Sequence, residues 1–187
     1  DAAQVYRMNG ELDDAMRSLK KSYALNQQLG DRDGQATDLN NMASVYYDSG
    51  QYRESVENYK KALSIKKRLG DEAGELEVLT ELGDVLENTY QYEEAAGTLM
   101  QALKIQEKLG KTEALSETSD RLGGVYYNQG DYQNAIVYYN KALNIAKDSD
   151  NKSAEGSILN DIGVTYYKTG KYDEAIETLN RSVEIDK

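Results

Sequence analysis

The chain contains no cysteine, histidine, proline, tryptophan or phenylalanine. Without cysteine there is no disulfide framework and no thiolate. Without histidine as well, most transition-metal sites and the common nucleophile–base pairs are excluded. The absence of proline means that nothing forces a break inside a helix. No apolar run approaches the roughly 20 residues that span a bilayer, and no signal peptide is visible. Positive charge is scarce: 22 Lys and Arg stand against 33 Asp and Glu, a net charge of −11. Nucleic-acid binding is disfavoured, because phosphate contacts need a basic face. A cytoplasmic location is favoured, and a periplasmic one stays open because oxidising compartments also hold cysteine-free proteins.

What the 187 residues do contain is a repeat of forty. Gly10, Gly50, Gly130 and Gly170 fall on one lattice, followed two residues later by Leu12, Tyr52, Tyr92, Tyr132 and Tyr172. Ala15, Ser55, Ala95, Ala135 and Ala175 follow, then Leu25, Ile65, Ile105, Ile145 and Ile185. A fixed period in this range means one supersecondary unit copied and stacked, each copy burying its apolar face on its neighbours. The units run approximately 1–30, 31–70, 71–110, 111–150 and 151–187, and with no linker between them they read as one domain. The lattice sets Asp1 opposite Asn41, inside a helix whose earlier half is missing. The chain therefore reads as a fragment of a longer array.

Each unit reads as two helices. Ala36, Leu39, Met42, Ala43 and Tyr46 recur at spacings of three and four, the stripe of an amphipathic helix. Asp33 or Asp31 can cap its start and Gly50 can end it in the left-handed conformation. Leu69–Gly70–Asp71 closes one helix and caps the next, as do Leu29–Gly30–Asp31 and, less fully, Leu109–Gly110–Lys111. The expected helices lie near 1–8, 11–29, 33–49, 52–69, 72–89, 92–109, 112–129, 132–147, 152–169 and 172–186. Ala43, Gly83, Gly123 and Gly163 recur mid-helix. A glycine there costs about 1 kcal/mol relative to alanine, so a packing gain must offset it.

These positions resemble the tetratricopeptide repeat. The fifth unit shows Leu159, Ile162–Gly163, Tyr166, Gly170, Tyr172, Ala175, Leu179 and Ser182; the second shows Leu39, Met42–Ala43, Tyr46, Gly50, Tyr52, Ser55, Tyr59 and Ala62. The resemblance covers essentially the whole chain. It departs from the usual unit of about 34 residues, and Lys67, Lys147 and Lys187 stand near the family's terminal proline. Such long units are similar to those of kinesin light chains, Pins-type adaptors, peptide-pheromone receptors and bacterial sensor proteins. The resemblance implies an all-α, right-handed superhelical solenoid of about ten helices, whose first helices line a concave wall that binds a peptide segment of a partner.

In that register the groove residues are Asn40, Asn41, Ser44, Tyr47 and Asp48, then Thr80, Glu81, Asp84, Glu87 and Asn88. They continue as Asp120, Arg121, Tyr127 and Asn128, and end with Asn160, Asp161, Tyr167 and Lys168. With Glu77 and Glu117 the wall carries eight acids against Arg121 and Lys168. An acidic wall favours a basic or polar partner and salt-sensitive association. The amides can grip a peptide main chain and the tyrosines offer anchoring area. The lysine clamp of chaperone-binding members is not supported, because its positions hold acids, amides, Thr80 and Arg121.

Other features read as structural. Lysines such as Lys66, Lys67 and Lys108 sit late in second helices, where the dipole favours them. Asp31–Arg32–Asp33–Gly34 hints at a calcium loop, but Met42 stands where the bidentate glutamate belongs, so capping is the better reading. No cofactor, metal site or catalytic constellation is indicated, and the chain reads as a non-catalytic interaction module. The rivals are a regulatory segment that responds to a peptide and a scaffold that self-associates through uncapped ends. The last helix would leave Ile176, Leu179, Val183 and Ile185 partly uncovered, and solenoids normally need capped ends. The third unit is irregular: Tyr90 replaces the turn glycine, and Ala96–Gly97 weakens the helix that follows.

Overall fold

The computed structural model describes residues 2–185. Asp1, which the lattice sets opposite Asn41, and Lys187, near the family's terminal proline, lie outside the described residues. Ten helices form among them: α1 (Ala2–Met8), α2 (Leu12–Leu29), α3 (Arg32–Asp48), α4 (Tyr52–Leu69), α5 (Glu72–Asn88), α6 (Tyr92–Leu109), α7 (Thr112–Gln129), α8 (Tyr132–Asp148), α9 (Lys152–Lys168) and α10 (Tyr172–Ile185). The protein is all-α, built of consecutive antiparallel helices in a repeat array. Two compact units are distinguished, one ending at Gln91 and the other beginning at Tyr92.

The turns explain the boundaries. At the end of α2 and α4, Gly30 and Gly70 adopt φ of 71° and 70°, and the amides of Asp31 and Asp71 fold back onto Asn26 and Lys66 carbonyls. The same aspartates cap the following helices: Asp31 accepts from the Gly34 amide and Asp71 from the Gly74 amide, both at 2.9 Å. Asp31, and not Asp33, is thus the cap of α3. Tyr90 takes the left-handed turn position with φ of 61°, which L-residues adopt at a cost of about 1–2 kcal/mol. Helix α6 nevertheless runs unbroken through Gly97.

In the first unit, α1 to α5 pack each on the next. Ala15, Leu19, Ala36, Ala43, Tyr59, Ala62, Leu79 and Leu86 are buried between them. In the second unit, α8 and α9 share a core of Ala135, Tyr139, Ala142, Leu143, Ala146, Ile158, Leu159 and Ile162. Small residues set the spacing. A Cβ on Gly123 would lie 2.5–2.9 Å from Tyr139 ring carbons, and one on Gly163 would lie 2.7 Å from Leu179 Cγ. The recurrent glycine therefore admits the large residue of the second helix.

Polar pairs accompany the apolar core. Asn26 donates to buried Asp38 at 2.7 Å between α2 and α3, and Gln106 donates to Thr118 at 2.9 Å between α6 and α7. These pairs occupy the same lattice positions eighty residues apart, where α8 and α9 carry Ala146 and Ile158. On α10, Ile176 is 60% and Val183 55% exposed. No helix of the described residues is long and apolar enough to cross a membrane.

Candidate functional site

In the first unit the inward residues of α3 and α5 form a bonded network. Asn40 and Ser44 are buried. Asn40 Nδ2 donates to Glu81 Oε2 at 3.0 Å, and Ser44 Oγ lies 3.4 Å from the same oxygen and 2.9 Å from the Tyr59 hydroxyl. These two residues were expected on an open wall, but the structure engages both in joining helices. Burial is the largest influence on Glu81 and raises its pKa, against bonds from Tyr59 and Asn40 that lower it. Tyr59 is likewise pushed well above the usual tyrosine range by burial.

The remaining first-unit residues are more accessible. Asp48 pairs with Arg7 of α1 at 2.5 Å. Asn41 is half-buried and shares a cavity of about 220 Å³ with Arg7 and Glu77. Thr80 donates to the Leu76 carbonyl at 2.9 Å, within its own helix. Asn88 donates to the Tyr47 hydroxyl at 2.9 Å, and the Tyr47 ring sits 5.5 Å from that of Tyr52. Asp84 is exposed and Glu87 half-buried.

In the second unit, α7 and α9 bring Asp120, Glu117 and Asp161 into electrostatic reach. Burial first, then the charges of Asp161 and Glu117, push the Asp120 carboxyl up to about 6. A cavity of about 260 Å³ opens beside it, lined by Glu113, Ser116, Glu117, Asn151, Ser157 and Ile158 among others. Glu113 is not among the groove residues expected from the sequence, although it precedes Glu117 by four residues and so shares its helix face. Arg121 is half-buried; Asn128, Asn160 and Lys168 are exposed. Tyr127 and Tyr167 pair with Tyr132 and Tyr172 across the turn, with ring centroids 5.5 and 5.6 Å apart. These tyrosines combine apolar area with an accessible edge, and Tyr167 is exposed.

Two lysines of the second helices make ion pairs with neighbouring helices or turns. Lys66 is only 11% exposed, and its ammonium lies 2.6 Å from Asp33 and 2.8 Å from Asp71. Lys141 of α8 pairs with Glu107 of α6 at 2.6 Å.

Comparison with known proteins agrees with the fold. A search of curated proteins finds no match at a significant level. Among solved structures, the putative kinesin light chain of Podosopora anserina, described as having nearly identical TPR-like repeats, superposes with a TM-score of 0.81 at 21% identity, covering 99% of this chain and 92% of its own. The apo form of RapI superposes with a TM-score of 0.85 at 18% identity over 98% of this chain. A Rap protein complexed with competence and sporulation factor gives 0.63 at 22% identity, also over 98%. This chain spans 51% and 52% of those two Rap chains. At such identities the likeness is one of fold. The tetratricopeptide repeat profile matches residues 1–68, 38–108 and 112–187, so the chain belongs to the tetratricopeptide repeat family.

Proposed function

We propose that this protein is a non-catalytic interaction module that binds a basic or polar peptide segment of a partner on the acidic faces of its first helices. The observation that carries this reading is the set of carboxylates on α7 and α9 (Glu113, Glu117, Asp120 and Asp161) beside a cavity of about 260 Å³. Acids gathered on a partly desolvated face raise the local concentration of cationic segments and speed their encounter. Tyr167 and Tyr172 supply flat anchoring area on the same unit. Repeats of this family mediate protein–protein contacts in general, and the Rap protein complexed with competence and sporulation factor supports a peptide as the ligand. The same comparison supports a regulatory segment that responds to a peptide.

The test is fluorescence anisotropy with basic, neutral and acidic peptide libraries at low and high salt. Basic peptides are expected to bind, with affinity that falls as salt rises and that weakens on Glu117→Gln with Asp161→Asn. Preference for acidic peptides would overturn the reading.

A second reading, self-association, is favoured by the exposed Ile176 and Val183 of α10. Sedimentation across concentration checks it: a strict monomer excludes it, and loss of association on Ile176→Lys supports it.

A further inference from the structure

In the first unit, three polar contacts join residues forty-one positions apart: Arg7 to Asp48, Asn40 to Glu81 and Tyr47 to Asn88. The offset belongs to the repeat. A residue on one first helix meets, on the next first helix, the residue one beyond its own lattice equivalent. Each of the three contacts joins a donor to an acceptor.

The same offset in the second unit relates Asp120 of α7 to Asp161 of α9. Asp120 stands eighty residues on from Asn40, and Asp161 eighty on from Glu81. Where the first unit pairs an amide with a carboxylate, the second sets two carboxylates together. Asn40 Nδ2 supplies the hydrogen that bonds Glu81; an ionised Asp120 has none to give. Its Oδ1 is shielded from solvent and has no hydrogen-bond partner, an arrangement that is costly for a charged oxygen.

We propose that the α7–α9 contact is a proton-operated latch, in which a proton on Asp120 supplies the donor that Asn40 supplies in the first unit and bonds Asp120 to Asp161. Loss of that proton leaves two like charges facing and loosens the contact. The groups around Asp120 fit this role. Along α7, Glu113 and Glu117 add negative charge and Arg121 adjoins it in sequence. From α8 comes Tyr139, whose own ionisation is suppressed by burial and by both aspartates. From α9 come Asp161 and Asn160. Helix α6 meets α7 through the uncharged pair Gln106 and Thr118.

Burial and the neighbouring acids hold the Asp120 carboxyl at about 6, and burial raises Asp161 as well. Asp120 therefore holds its proton to a higher pH than an ordinary aspartate does. An unfolded aspartate titrates at about 3.9. Between about 3.9 and about 6 the folded chain binds a proton that the unfolded chain has released, so stability falls as pH rises through that window.

The latch shares Asp120 and Asp161 with the proposed binding face, but its readout is folding stability and needs no peptide. Thermal unfolding of wild type, Asp120→Asn and Asp161→Asn, measured from pH 5 to 7.5, tests it together with an NMR titration of the aspartate Cγ signals in wild type. Asp120→Asn recreates the Asn40–Glu81 pairing, so its Tm should exceed that of wild type by about 2–6 °C at pH 7.5, with the gap closing toward pH 5. Asp161→Asn should lower the Asp120 midpoint. Parallel curves for wild type and Asp120→Asn, or an Asp120 midpoint near that of a free aspartate, would overturn the latch. If Asp120→Asn does not fold, the wild-type titration and its response to Asp161→Asn decide.

Discussion

The ring of Tyr139 occupies the space that a Cβ on Gly123 would need, with ring carbons 2.5–2.9 Å from its ideal position. Two effects of Gly123→Ala therefore oppose each other. Helix propensity favours alanine by about 1 kcal/mol, whereas overpacking a filled core costs about 1–3 kcal/mol. Tyr139 is nearly fully buried in the α8–α9 core and cannot swing away. Gly123→Ala is expected to destabilise by up to about 2 kcal/mol, read by urea unfolding. A stabilised variant would show that the ring has room to move.

The next residue behaves in the opposite way. Gly124 is the lattice equivalent of Ser44, as Tyr139 is of Tyr59. Ser44 and Tyr59 share a hydrogen bond at 2.9 Å, and a Cβ on Gly124 would lie an ordinary 3.7 Å from the Tyr139 hydroxyl. Gly124→Ser should install the same bond and stabilise the second unit by about 1 kcal/mol. Denaturant midpoints of Gly124→Ser with and without Tyr139→Phe measure the coupling. In the first unit, Tyr59→Phe should cost about 1 kcal/mol.

Tyr90 holds a left-handed φ of 61° while 77% exposed. Its equivalents Gly50 and Gly170 adopt φ of 74° and 77° without strain. Tyr90→Gly is expected to raise stability by about 1 kcal/mol, the relief of the left-handed penalty less the added freedom of the unfolded chain. The reciprocal Gly170→Ala should lower it. Calorimetry on both variants provides the check.

Lys66→Met removes the cation shared by Asp33 and Asp71. The Asp71 carboxyl is held below its ordinary value by Lys66 first and by the Gly74 amide second. A group with a depressed folded pKa contributes stability above its unfolded value, near about 3.9, and loses it as pH falls toward the folded value. Lys66→Met should therefore shift acid unfolding to higher pH. At neutral pH the cost should stay below about 1 kcal/mol, because the carboxylates are partly solvated. Circular dichroism along an acid titration reads the shift.

Much of the architecture was legible because local chemistry dictates it. Leu29–Gly30–Asp31 and Leu69–Gly70–Asp71 carry both a left-handed stop and a cap, so the helix boundaries follow from short stretches alone. The side-chain partners were less legible. A lattice of forty aligns Asn40 with Thr80, but the contact made is with Glu81, because adjacent first helices are offset by one residue. That displacement depends on how two helices pack, so Asn40 and Ser44 read as open groove residues when they are internal. Lys66 likewise reads as a helix-dipole partner, and only the folded chain brings Asp33 to it.

The pairs Asn26–Asp38 and Gln106–Thr118 give the helix junctions a private identity. An exchange that set Asn26 against Ile158, or Ala146 against Asp38, would leave a polar group between packed helices without its partner. Repeats that look interchangeable along the chain are therefore keyed to their own neighbours, so a shuffled array would fold poorly even with every consensus position intact.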